Sequence, residues 1–96
     1  MTPEQKSIEI LCWKYIYYSI MYYLYYHSEV PDSEYDNICL TLKLEWKKLP
    51  DWFKERVCLE DLSTGSGFAL KPTCKELDEI ENFLYGNVSL PMLNYD

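Results

Sequence analysis

Residues 8–26 read IEILCWKYIYYSIMYYLYY, and this run decides the fold. Ile8, Cys12, Ile16, Ile20 and Leu24 recur every four residues, the spacing that lines one face of an α-helix. Leu11, Tyr15, Tyr18, Tyr22 and Tyr25 form a second row beside the first, at alternating spacings of four and three. Two adjacent apolar rows cover well over half the helix surface. Such a helix is either enclosed on most sides or presents tyrosines to a partner or ligand. Upstream, Thr2-Pro3-Glu4-Gln5 makes a helix start, with Thr2 as cap, Pro3 in the first turn and Gln5 closing a capping box. Downstream, Ser28-Glu29-Val30-Pro31 breaks the helix, because Pro31 pushes Val30 toward an extended conformation. The helix is therefore predicted to end at Tyr26 or His27.

The remaining segments also read as helices. Asp32 or Ser33 can cap a second helix, with Glu34 and Asp36 in its first turn and Ile38, Cys39, Leu42, Trp46 and Leu49 on its core face. It stops before Pro50, and a third helix is predicted from Asp51 to Leu59 or Leu62. Ser63-Thr64-Gly65-Ser66-Gly67 is a turn; it lacks the Gly-Lys-Ser/Thr ending of a phosphate-binding loop. Phe68-Ala69-Leu70 reads as a short extended piece. Thr73-Cys74-Lys75-Glu76 is a second capping box, opening a helix to about Tyr85 with Gly86 as its stop. Leu90-Pro91-Met92-Leu93 falls in an extended tail. The predicted fold is all-α: one domain over residues 1–96, a small bundle of about four helices with a short extended C-terminal tail.

Ninety-six residues hold one core and one site, not two lobes with a cleft between them. Aromatic residues make up 17% of the chain, so ten tyrosines carry much of the apolar area. The net charge of −7 argues against non-specific nucleic-acid binding, which needs a basic surface. The same charge suits plain solubility, or a protein that occupies another protein's basic groove. Four cysteines are scattered and the single histidine is His27, so no metal site is expected. The cysteines read as buried free thiols of a reducing compartment. Lys14, Ser19 and the tyrosines make residues 10–26 too polar for a membrane span, and no signal peptide is visible. The expected location is cytoplasmic.

Chemistry concentrates in Glu29-Val30-Pro31-Asp32-Ser33-Glu34-Tyr35-Asp36. Asp32 and Asp36 stand one helical turn apart on a shared face, with Tyr35 in the same turn. Two carboxylates can accept hydrogen bonds from ribose hydroxyls or face a cationic heterocycle. A tyrosine ring beside them can stack on it, and Tyr22 on the preceding helix offers a second wall. On the residues alone a purely structural reading is favoured: Asp32 caps the helix and Tyr35 fills the core.

With Tyr22 and its neighbours, and with the helix through Leu42 and Trp46 to Pro50, this segment resembles the N-terminal Ia subdomain of bacterial NAD-dependent DNA ligases. That subdomain is a small helical cap with the pattern Tyr-His, about eight residues, then Asp-x-x-Tyr-Asp. It binds the nicotinamide mononucleotide (NMN) half of NAD. The resemblance is ungapped over residues 22–50, and broadly covers residues 1–50. The Leu90-Pro91-Met92-Leu93 segment resembles a Pro-Met-Leu stretch that follows the cap. It implies that Tyr22 and Tyr35 stack on nicotinamide, that Asp32 and Asp36 bind its ribose or amide, and that Tyr23 stands where the family has histidine. Residues 57–86 have no counterpart. The ligase motif Lys-x-Asp-Gly is absent after all eight lysines, so no lysine adenylate can form. The chain is expected to stop short of a catalytic domain and not to be an enzyme.

Two functions follow as expectations. One is a stand-alone, non-catalytic module that binds NMN or NAD through Tyr22, Tyr23, Asp32, Tyr35 and Asp36, without metal. The alternative is a small acidic inhibitor of the virus-encoded type. It would bind a host or defence protein, as an anti-CRISPR or anti-restriction factor does, and block a basic nucleic-acid groove. Its contact surface would be an acidic ridge at Glu76, Asp78, Glu79 and Glu81, together with Glu60-Asp61 and the exposed part of the tyrosine stripe. Direct binding of nucleic acid or membrane is not expected in either case.

Overall fold

Helix α1 spans Pro3–Leu24 in the structure, a computed structural model that describes residues 3–64 and 70–86. Its middle is enclosed: Tyr15, Ile16, Tyr17, Tyr18, Ser19, Ile20 and Met21 are all buried. Such a run makes about two turns and points to every side of the axis, so α1 is the central post of the fold. Of the predicted rows, Ile8, Cys12, Ile16, Ile20, Tyr15 and Tyr18 are buried, while Tyr22 and Leu24 at the C-terminal end are exposed.

The helix ends slightly before its predicted stop. Tyr26 takes a left-handed φ of 53°, and this reversal lets the His27 N–H donate to the Met21 carbonyl at 3.0 Å. His27 thus closes the helix through its backbone, while its imidazole meets Glu29 at 2.8 Å.

Helix α2 covers Asp32–Leu44 and packs on α1 through Ile38, Cys39 and Leu42. Capping differs from the predicted form. Pro31 occupies the N-cap position and no side chain caps the helix. Proline fixes φ near its helix-entry value, which places Asp32 inside the first turn. Asp32 then acts on the helix only through the dipole. A 3₁₀ turn at Trp46–Lys48 follows and delivers buried Leu49 to the core.

The predicted third helix is two helices, α3 at Asp51–Arg56 and α4 at Leu59–Thr64. Buried, β-branched Val57 sits between them in extended backbone, with φ −132° and ψ 131°. Asp61 restarts the helix by accepting the Cys58 N–H at 3.2 Å. Helix α5 covers Cys74–Leu84 and opens with the predicted capping box. Thr73 Oγ1 accepts the Glu76 N–H at 3.2 Å, and Glu76 accepts the Thr73 N–H at 3.1 Å. Gly86 ends it at φ 79°, a left-handed position that glycine takes without a Cβ penalty.

The fold is all-α, with five helices and no strand among the described residues. Phe53 of α3 meets Tyr15 edge-on at 5.8 Å, and Trp52 stacks on Trp13 at 4.6 Å. Arg56 then ties α3 to α5 by two hydrogen bonds to Glu76, at 2.7 and 2.8 Å, and one to the Lys71 carbonyl. Among the described residues, no helix is long and apolar enough to cross a membrane, and no group of metal-ligating side chains forms. Thr2, the Gly65-Ser66-Gly67 turn, Phe68-Ala69 and the Leu90-Pro91-Met92-Leu93 tail lie outside the described residues.

The cysteines divide into two classes, which corrects the prediction that all are buried. Cys12 and Cys39 are buried free thiols, whereas Cys58 and Cys74 are exposed. Burial pushes the Cys12 thiol up to about 12 and the Cys39 thiol up to about 11. Thiolate is the reactive form. Brief treatment with iodoacetamide at neutral pH should therefore add two carbamidomethyl groups to the native protein and four after denaturation, read by mass spectrometry.

Candidate functional site

A cleft of about 240 Å³ opens where the end of α1, the connecting loop and the start of α2 meet. Helix α1 contributes Tyr22 and Tyr23, one residue apart, and α2 contributes Asp32, Tyr35 and Asp36. The spacing along α2 puts the two carboxylates one turn apart with Tyr35 beside them. The loop reversal at Tyr26 brings the α1 tyrosines opposite this turn. All five residues singled out in the sequence line the one cleft.

Each wall is held differently. Tyr35 is the rigid one. Its ring stacks on buried Tyr15, with centroids 5.9 Å apart and planes within 7°. Its hydroxyl shares a 2.6 Å hydrogen bond with the hydroxyl of Ser19, which is itself buried. Burial raises the Tyr35 phenol above its ordinary range, and the Ser19 bond offsets this in part. Tyr22 is half exposed and meets Tyr23 edge-on, with centroids 5.0 Å apart. Asp32 and Asp36 are exposed to solvent at the cleft.

Four further residues complete the lining: Tyr18, Ser28, Glu29 and Val30. Tyr18 was legible as the residue one turn below Tyr22 in the second row. Glu29 and Val30 lie in the quoted segment but carried no assigned role. Ser28 had no signal, because only the chain reversal turns it toward the cleft. The volume lies below the roughly 300–1,000 Å³ of drug-sized pockets, so the cleft suits one ring with its sugar better than a whole dinucleotide.

The acidic ridge predicted on α5 does not form as a surface. Glu76 is buried and paired with Arg56, besides closing the capping box. Glu79 accepts a hydrogen bond from the Tyr17 hydroxyl and is half-buried. Asp78 and Glu81 alone of the four face solvent. The reason is periodicity: positions 76, 79 and 80 share the inward face of α5, where Glu76 meets Arg56 of α3 and Glu79 meets Tyr17 of α1, so two of the acids turn inward.

Buried phenols give the protein an alkaline limit. Tyr15, Tyr17, Tyr18 and Tyr35 are all raised, in each case chiefly by burial. A raised folded value stabilises the fold fully below the unfolded value, about 10 for tyrosine. That stability is lost as pH climbs beyond it. Helicity followed against pH should therefore hold to about pH 10 and collapse cooperatively above it, together with a step in phenolate absorbance.

No family model, curated protein or solved structure matches this chain.

Proposed function

We propose that this chain is a non-catalytic module, similar to a ligase cap, that binds nicotinamide nucleotide, NMN or NAD, in the tyrosine–aspartate cleft. One observation carries the reading: Tyr22, Tyr23, Asp32, Tyr35 and Asp36, chosen on the ligase resemblance, all line a single cleft. Under this reading Tyr22 and Tyr35 sandwich the nicotinamide ring, while Asp32 and Asp36 accept hydrogen bonds from its ribose hydroxyls or amide. Tyr23 occupies the position of the family's histidine and supplies ring area rather than a proton. The chain works without metal and in the cytoplasm, where these nucleotides are made and used.

The inhibitor reading is weaker, because Glu76 and Glu79 are engaged inside the fold. Half a nucleotide site gives modest affinity, since solvent competes for every hydrogen bond. The test is calorimetric titration with NMN and NAD of the parent protein and of two variants, Tyr22→Ala and Asp36→Ala. Both positions are exposed, so the variants keep the fold. Saturable binding in the millimolar range or tighter, lost in both variants, is the expected result. No heat with either ligand would overturn the reading.

A further inference from the structure

Three carboxylates, Glu29, Asp32 and Asp36, line the cleft together with the rings of Tyr18, Tyr22, Tyr23 and Tyr35. Among the described residues, no lysine, arginine or histidine lines it. His27 touches Glu29 at 2.8 Å from outside the lining. A tyrosine face carries negative quadrupole potential and attracts weakly hydrated organic cations. The carboxylates add to that attraction and repel any anion placed next to them.

We propose that the cleft selects its ligand by charge, taking an unphosphorylated N-substituted pyridinium, such as a pyridinium riboside, in preference to its phosphorylated nucleotide. This rests on the nicotinamide reading and narrows it. The pyridinium ring and the sugar satisfy the aromatic walls and the acceptors. A 5′-phosphate finds no cation in the lining and sits within reach of three carboxylates. Across about 8 Å of screened water such repulsion amounts to roughly a 5-fold loss of affinity. A neutral ring loses the cation–π contribution instead, so free nicotinamide binds more weakly than 1-methylnicotinamide.

The experiment is a set of calorimetric titrations with nicotinamide riboside, NMN, 1-methylnicotinamide, free nicotinamide and 1-methylpyridinium, each at low and high salt. Nicotinamide riboside is expected to bind about 5-fold more tightly than NMN at low salt, and added salt is expected to close the gap from both sides. The Glu29→Gln/Asp32→Asn double variant, checked for helicity, should weaken the riboside and strengthen NMN. NMN binding as tightly as the riboside, or a ratio unchanged in the double variant, would overturn the inference while leaving the nicotinamide reading intact. If 1-methylpyridinium binds as well as the riboside, charge selection stands and the nicotinamide reading fails. If no compound binds, both fail.

Discussion

Replacing Glu76 by alanine should lower the thermal midpoint by roughly 15 °C, the equivalent of about 3 kcal/mol in a chain of this size. Two losses combine. The buried carboxylate is the partner of Arg56, which is itself only 22% exposed in its side chain and would be left with an unpaired charge. Glu76 also closes the capping box of α5, a further cost of about 1 kcal/mol. The link reaches beyond the pair, because Arg56 also bonds the Lys71 carbonyl and so fixes the chain entering α5. The pH dependence of this pair has a definite sign. Burial raises the Glu76 carboxyl, but the Arg56 and Thr73 hydrogen bonds outweigh it and hold the group below its ordinary value. A lowered folded value contributes stability above the unfolded value, about 4.3 for glutamate. That stability disappears as pH falls through the folded value. Thermal melts of the parent protein and of Glu76→Gln should therefore differ most near neutrality and converge in acid. Equal spacing of the two midpoints at every pH would contradict the assignment.

Tyr35→Ala should remove ligand binding entirely and also cost about 3 kcal/mol of stability. The ring is at once a wall of the cleft and the stacking partner of Tyr15. Its hydroxyl is the partner of buried Ser19, whose oxygen loses that bond in the variant. Tyr35→Phe separates the roles. It keeps both ring contacts and removes the hydroxyl's bonds to Ser19 and Cys39, at about 1 kcal/mol. Denaturant midpoints should rank parent, Tyr35→Phe, Tyr35→Ala, while nicotinamide binding should survive in the phenylalanine variant alone of the two. Loss of binding in Tyr35→Phe with the stability order intact would mean that the hydroxyl touches the ligand and that the ring does not carry the site.

Much of the fold was legible because α1 is so strongly patterned. Residues spaced by four and three from Ile8 to Ile20 specify its buried rows. Thr73 with Glu76, and Gly86, specify both ends of α5 by local chemistry alone. The misreadings arise where tertiary contacts decide. Val57 interrupts a helical pattern because its side chain is needed in the core. Asp32 looks like a cap but lies one position inside the helix, since Pro31 takes the cap. Glu76 and Glu79 look like a solvated acidic face, and only the positions of Arg56 and Tyr17 show that they turn inward. The cleft was legible from Asp32, Tyr35 and Asp36, whose spacing is fixed by one helix. Ser28 and Glu29 were not, because their placement depends on the left-handed turn at Tyr26.

The most direct measurement is a ¹⁵N-resolved NMR titration of the intact chain with NMN, and with nicotinamide riboside in parallel. A nicotinamide cleft predicts saturable shift changes confined to residues 18–36, largest at Tyr22, Tyr23, Asp32, Tyr35 and Asp36. It also predicts contacts between the pyridinium protons and the rings of Tyr22 and Tyr35. Unchanged spectra, or changes centred on α5 instead, would contradict it.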